Sequence, residues 1–194
     1  MTFDTIIRGG TVATASDTFS CDVGIKDGRI AALGVDLGAA NEIIDASGKL
    51  VLPGGIDSHV HISQPSGPDI VMADDFESAT RSAAFGGNTM VLPFAMQQKG
   101  QSLREVVTEY HKKADGQCYI DVSFHLIISE PTEQLLGQDL PSLVQDGYTS
   151  FKIFMTYEGL ALSDLEILKV MAVARETRAL VMIHAENYDV IRYL

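Results

Sequence analysis

Cysteine, basic residues and long apolar runs are all scarce in this sequence. The two cysteines, Cys21 and Cys118, form no C-x-x-C pair, which argues against a disulfide framework or a cysteine zinc site and fits a reducing cytoplasm. Lys and Arg number 14 against 26 Asp and Glu, and this net charge of -12 argues against nucleic acid or an anionic membrane as a partner. No run of about 18 apolar residues and no basic N-terminal segment occurs, so we expect neither a membrane span nor an export signal.

The remaining composition is that of an ordinary globular protein, 46% hydrophobic and 21% charged, and the first 52 residues are typical of β-structure. Short β-branched runs over 5–12, 22–33 and 42–52 are separated by glycine turns. The Asp27-Gly28 pair predicts a tight hairpin, because this turn needs a positive φ that glycine adopts without strain. Pro53-Gly54-Gly55 ends the module, so we expect a first domain over 1–53.

From residue 56 onward, strands and helices are predicted to alternate. A helix begins after Asp75 and stops at Gly86-Gly87. Two further helices begin at predicted capping boxes, Ser102 with Glu105 and Ser163 with Glu166, in which each side chain satisfies a free backbone N–H. The second of these helices carries Leu165, Leu168, Met171 and Ala172 at helical spacing. The remaining predicted elements are strands at the His59 segment and over 88–94, 119–128, 149–156 and 179–185, and helical stretches over about 132–145 and from 188 onward.

Strands that alternate with helices indicate a parallel sheet, either doubly wound or closed as a barrel. Polar residues help to decide, because functional groups of a (β/α)8 barrel lie at the C-terminal ends of strands. His59 and His61 end the first strand, Lys152 lies in the fourth, and His184 closes the fifth. No G-x-G-x-x-G follows a strand, so the nucleotide-binding alternative lacks its usual signature. The pattern favours a barrel, or a sheet with a single functional edge.

The H-x-H pair and Lys152 are the residues that point to chemistry. Histidines at i and i+2 of a strand face the same side, which suits a divalent metal, although an isolated pair of this kind is more often incidental. Lys152 lies in an apolar strand, where an ammonium is costly to bury. It could pair with a carboxylate, form a Schiff base, or add carbon dioxide to give a carbamate that bridges two ions. With His184, such a set fits zinc, with manganese not excluded, and hydrolysis of a C–N bond.

Three ordered motifs together resemble the dihydropyrimidinase and hydantoinase branch of the cyclic amidohydrolases: Pro53 to His61, Phe151 to Tyr157, and Ile183 to Asn187. The resemblance implies a (β/α)8 barrel beginning at residue 54, preceded by part of a small β-sandwich. It implies a binuclear centre, usually zinc, in which His59 and His61 hold one ion, carbamylated Lys152 bridges and His184 holds the other. Tyr157 would stabilise the oxyanion while a metal-bridging hydroxide opens a 5,6-dihydropyrimidine or hydantoin to an N-carbamoyl amino acid. A homotetramer is implied as well.

Close relatives of this branch differ at identifiable positions. Dihydroorotase-like enzymes have an arginine two residues after the second histidine, whereas this chain has Ser63. An allantoinase-like activity stays open, although Gln64-Pro65-Ser66-Gly67-Pro68 departs from the usual pattern. The loop over 63–73 is expected to border the exocyclic group of the substrate.

The family has a further histidine ligand after the sixth strand and a metal-binding aspartate after the eighth. A barrel needs roughly 250 residues, so we expect this chain to be the N-terminal part of a longer enzyme, 54–194 being the first, truncated portion of its barrel. If 194 residues were the whole polypeptide, a non-catalytic fragment or scaffold would be the alternative.

Overall fold

The computed structural model describes residues 2–67 and 69–194, which divide into two compact units at Gly54. The first unit contains five strands: β1 (Phe3–Ala13), β2 (Thr18–Lys26), β3 (Arg29–Gly34), β4 (Ala40–Asp45) and β5 (Leu50–Val51). They form one mixed sheet in the order β3-β2-β1-β4, with β5 alongside β1. β1 is antiparallel to β2 but parallel to β4 and β5. The predicted hairpin is confirmed, since Asp27 and Gly28 take φ values of 50° and 69° between β2 and β3.

The second unit has the predicted alternation of strands and helices. Its elements in chain order are β6 (Gly55–Val60), α1 (Phe76–Phe85), β7 (Asn88–Met96), α2 (Leu103–Ala114), β8 (Asp121–Val122), β9 (His125–Ile127), a π-helical turn (Leu135–Asp139), α3 (Leu140–Gln145), β10 (Ser150–Phe154), α4 (Asp164–Thr177), β11 (Leu180–His184) and α5 (Tyr188–Tyr193). The third predicted strand, 119–128, is therefore two short strands, β8 and β9. Ser123 and Phe124 separate them, and the Phe124 side chain enters the core.

Parallel pairing joins the strands of this unit in the order β11-β10-β9-β7-β6, and β8 adds to β7. The sheet is an open arc of parallel strands, the first five strand positions of a (β/α)8 barrel, as predicted. A single apolar core made by strand and helix side chains holds it together, with Phe76, Phe124, Phe151 and Leu126 among its fully buried members. No helix of the described residues is long and apolar enough to cross a membrane.

Helix caps show which local predictions were correct. At α1, Asp75 accepts from the Ser78 N–H at 2.8 Å, and the helix ends at Gly86 as expected. The box that starts α4 is confirmed: Ser163 N–H donates to Glu166 at 2.8 Å, and the Ser163 hydroxyl accepts from the Glu166 N–H. The box at Ser102 is wrong, because its side chain makes no cap hydrogen bond although α2 begins at Leu103.

The apolar residues noted at helical spacing in α4 lie on its exposed side. Leu165, Leu168 and Met171 are exposed, and the helix instead buries Ile167, Val170 and Ala174 against the core. Both sets repeat with the helical period, so the periodicity alone could not distinguish which of the two faces the sheet contacts.

Candidate metal centre

The two histidines of the H-x-H motif lie together at the end of β6. His59 belongs to the strand and His61 follows it directly, and their ring centroids are 5.6 Å apart. Both rings pack on Phe94 of β7, at 4.8 Å and 5.1 Å between centroids. The Gln64 side-chain oxygen lies 2.5 Å from Nδ1 of His61. Phe94 therefore provides an apolar support that keeps both imidazoles on the same side of the sheet.

Lys152 lies in the middle of β10 and is 8% exposed. Among the residues that the structure describes, Lys152 makes no hydrogen bond and no ion pair with a carboxylate. The interpretation of Lys152 as one half of a structural ion pair therefore lacks the carboxylate that it needs. The Nζ of Lys152 lies 5.2 Å from the centroid of the Phe154 ring. Burial lowers the pKa of the Lys152 ammonium, which favours the neutral amine.

Burial and the positive charge of Lys152 lower the pKa of His59, one of the two histidines of the H-x-H pair. Burial is the main cause that lowers the pKa of His59, and the positive charge of Lys152 is the next. Both causes favour the neutral imidazole, which is the form of histidine that binds a metal. The structure thus brings His59 within electrostatic range of Lys152, although they belong to strands separated by β7 and β9.

His184 and Tyr157 form a second cluster at the end of β11. The Tyr157 hydroxyl lies 3.4 Å from Nε2 of His184, which also contacts the Glu186 carboxylate. The His184 ring stacks on Phe154 at 5.7 Å, so a single phenylalanine contacts both this histidine and Lys152. Tyr157 has a φ of 74°, a left-handed conformation that is rare for a bulky residue and typical of functional sites.

The loop that follows His59 and His61 lines an open cavity together with Gln98, which follows β7, and Lys113 of α2. Ser63, Gln64 and Met72 contribute to its lining, together with Gln98 and Lys113. The Lys113 ammonium donates to the Ser63 carbonyl at 3.2 Å. Pro68, part of the segment used to weigh the allantoinase alternative, lies outside the described residues.

His125 was missed by the sequence reasoning. It is 4% exposed in β9, and its ring packs on Phe94 at 5.0 Å. The signal that singled out Lys152, a titratable residue within an apolar strand, is equally present in Phe124-His125-Leu126-Ile127 and would have identified it.

The donor chemistry of the predicted set fits a divalent ion. Across residues 2–67 and 69–194, no three His, Cys, Asp or Glu side chains converge on one point that could hold an ion. The predicted set does not contain such a triad, because its central member is Lys152, which offers oxygen ligands only after adding carbon dioxide. Imidazoles that share one side of the sheet and a lysine amine without a partner among the described residues are the groups that such a centre requires.

Several known proteins are similar to this chain over nearly its whole length. The family model described as the Amidohydrolase family matches residues 50–193. The chain is 47% identical over 194 residues to a D-hydantoinase from Streptomyces coelicolor, an alignment that covers 96% of this chain and 41% of that protein. A rat dihydropyrimidinase is 38% identical over 195 residues and is covered to 37% of its length.

Solved structures show the same relationship. One D-hydantoinase structure superposes with a TM-score of 0.93 at 42% identity, over 99% of this chain and 42% of that one. A dihydropyrimidinase structure from Brevibacillus agri gives a TM-score of 0.92 at 44% identity. The chain therefore spans about two fifths of the length of the relatives it matches.

Proposed function

The chain belongs to the amidohydrolase family, and on that basis we propose that it is part of an enzyme that hydrolyses the cyclic amide of a 5,6-dihydropyrimidine or a hydantoin to an N-carbamoyl amino acid. The observation that carries the proposal is Lys152, a buried amine with no partner among the described residues, placed within electrostatic range of His59. D-hydantoinase and dihydropyrimidinase are the names of the relatives at 47% and 38% identity.

His59 and His61 would hold one divalent ion, His184 would hold another, and Lys152 would bind both as a carbamate. In that modification the neutral Lys152 nitrogen attacks the carbon of carbon dioxide, an N–C bond forms, and the nitrogen loses a proton to solvent. The buried position favours the neutral amine that this step needs. When bound, the ions supply Lewis acidity toward the amide carbonyl and lower the pKa of water.

The side chains of this chain would bind and orient the substrate. The Tyr157 hydroxyl would donate to the amide carbonyl oxygen, which becomes negatively charged as the amide carbon turns tetrahedral, and this is the task of an oxyanion-hole donor. Its place beside His184, held by a left-handed backbone at residue 157, supports this role. Gln64 would restrain the His61 ring while its loop borders the substrate.

We propose zinc as the metal, since imidazole nitrogen and carboxylate-type oxygen without thiolate suit a catalytic zinc site. Residues 1–53 would be part of a β-sandwich and 54–194 the first portion of the catalytic barrel. A cytoplasmic location is supported by the two free thiols of Cys21 and Cys118, and a homotetramer by the family resemblance alone.

Metal content and intact mass of the purified protein in bicarbonate test the proposal. In the full-length enzyme of which this chain is proposed to be part, we expect divalent metal, a carbon dioxide adduct on Lys152 that acid removes, and turnover of dihydrouracil or hydantoin. Lys169→Met, on the exposed side of α4, is the matched control for Lys152→Met: the first should keep metal and the second should lose it. Protein that takes up no metal and carries an unmodified Lys152 in bicarbonate would overturn the proposal.

A further inference from the structure

His125 is a buried histidine that the predicted ligand set does not use. Its Nε2 lies 2.8 Å from the carbonyl oxygen of Ser58 in β6, and its Nδ1 lies 2.5 Å from the hydroxyl of Ser150 in β10. A carbonyl oxygen only accepts hydrogen bonds, so Nε2 carries the hydrogen, and in the neutral ring Nδ1 accepts from Ser150. Both ring nitrogens are therefore used by the protein.

The hydrogen bond to Ser58 spans a strand. β9, which carries His125, pairs with β7 and β10, and β6 is reached only across β7. At its two ends the ring contacts residues next to predicted ligands: Ser58 precedes His59, and Ser150 lies two residues before Lys152, on the same side of β10. His125 thus ties the backbone of the histidine strand to the strand of the lysine.

The carbonyl of Ser58 lies where the pairing of β6 with β7 is irregular, and His125 contacts it there. Asp57 pairs with Val91 and Val60 with Pro93, so three steps along β6 match two steps along β7 and the intervening residues bulge. Pro93 has no N–H to give to the neighbouring strand. A bulge re-aims the side chains it carries, and here it carries His59.

We propose that His125 is a positioning residue for the metal centre: its Nε2–H holds the Ser58 carbonyl in the bulge and thereby fixes the backbone from which His59 is aimed. The inference rests on the proposed function for its chemical consequence, because His59 is there a ligand. It goes beyond that function by assigning the support of this ligand to a side chain from another strand.

Substitutions at residue 125 can separate the two hydrogen bonds. The side-chain nitrogen of glutamine can reach the position of Nε2, whereas asparagine reaches only that of Nδ1. His125→Gln should therefore keep metal affinity within a few-fold of wild type, and His125→Asn should lower it about 10- to 100-fold, as for other residues that orient a ligand. Thr80→Val is the control, because the buried Thr80 hydroxyl accepts from the Tyr119 N–H and donates to the Phe76 carbonyl elsewhere in the same unit, and its loss should leave affinity unchanged.

Hydrogen exchange of the 56–61 peptide in metal-free protein supplies a readout that does not depend on metal. Exchange there should quicken in His125→Asn but not in His125→Gln or Thr80→Val. Wild-type exchange and affinity in His125→Asn would overturn the inference. Faster exchange in that variant, together with a wild-type protein that binds no metal, would support the positioning role and refute the proposed function.

If His125→Asn does not fold by circular dichroism, Ser150→Ala replaces it. Ser150→Ala leaves the His125 hydrogen bond to Ser58 but removes the hydroxyl that holds the His125 ring. The exchange rate of the 56–61 peptide and the metal affinity should therefore both be intermediate between those of Thr80→Val and those predicted for His125→Asn. Values equal to those of Thr80→Val would overturn the inference.

Discussion

Replacing Lys152 by methionine should make the metal-free protein more stable while abolishing metal binding. Methionine has nearly the same length and volume as the lysine stem, so the apolar contacts within β10 are kept. What changes is the ammonium, which makes no hydrogen bond or ion pair with the described residues and ends a side chain whose residue is 8% exposed. An interior residue that destabilises the fold in this way is expected where function requires it.

The magnitude follows from two opposing contributions. Leaving a buried polar group without a partner costs roughly 2 kcal/mol. The Nζ of Lys152 recovers part of this through Phe154, whose ring centroid is 5.2 Å away, and such a contact contributes about 1 kcal/mol. Because the Nζ of Lys152 is not among the fully enclosed atoms without a partner, about 2 kcal/mol is an upper limit for it. The net gain in Lys152→Met is therefore at most about 1 kcal/mol, which at a urea slope of about 2 kcal/mol per M raises the unfolding midpoint by up to about 0.5 M.

The assay is urea unfolding, followed by circular dichroism, of metal-free protein in buffer purged of carbon dioxide. Lys169→Met, an exposed control on α4, should stay within about 0.5 kcal/mol of wild type. A midpoint that falls in Lys152→Met would refute the reasoning, because it would mean that the ammonium has a stabilising partner. Undiminished metal content in that variant would refute the ligand assignment independently of stability.

Three further predictions concern other parts of the chain. Asp22, which is 6% exposed, accepts from the Gly9 N–H at 3.0 Å, and this bond is the main cause that lowers its carboxyl pKa. The stability of the wild type should therefore fall as pH drops below about 4. Asp22→Asn should cost about 1–2 kcal/mol at pH 7 and should lose less stability in acid than the wild type does. Urea unfolding midpoints at pH 7 and pH 3 check both statements. Ser163→Ala should cost about 1 kcal/mol and quicken hydrogen exchange in the first turn of α4, whereas Ser163→Thr, whose hydroxyl can still accept from the Glu166 N–H and donate to the Glu166 carboxylate, should keep the cap. Tyr157→Phe should lower kcat for hydantoin about 100- to 1000-fold with metal content unchanged, and loss of metal instead would mean that the hydroxyl supports His184 rather than the substrate.

Local features of the fold were predictable because their causes lie within a few residues. The Asp27-Gly28 hairpin, the end of α1 at Gly86 and the Ser163 capping box each depend on side chains and φ values of one short segment. Ser102 has the same local pattern as Ser163, yet its side chain makes no cap bond. The pattern permits such a bond but does not require it.

The candidate site also has a part that the sequence could predict, the identity of its residues, and a part that it could not, their geometry. His59, His61, Lys152 and His184 could be named from the sequence, because strand ends and apolar flanks are visible in it, whereas Tyr157 was named from the family resemblance. Their geometry remained undetermined, since no spacing along the chain reveals that Phe94 supports both histidines of the H-x-H pair or that Phe154 contacts two other site residues.

What the sequence by itself determined was the order of strands and helices, the hairpin, most of the caps and the set of candidate ligands. Tertiary structure alone decided which face of α4 is buried, that the third strand is interrupted before His125, and that this histidine reaches across β7 to the carbonyl of Ser58. The physical reason is that each of these depends on a partner distant along the chain. Helical periodicity permits either face, and the irregular register around Ser58 becomes apparent only when β6 is paired with β7.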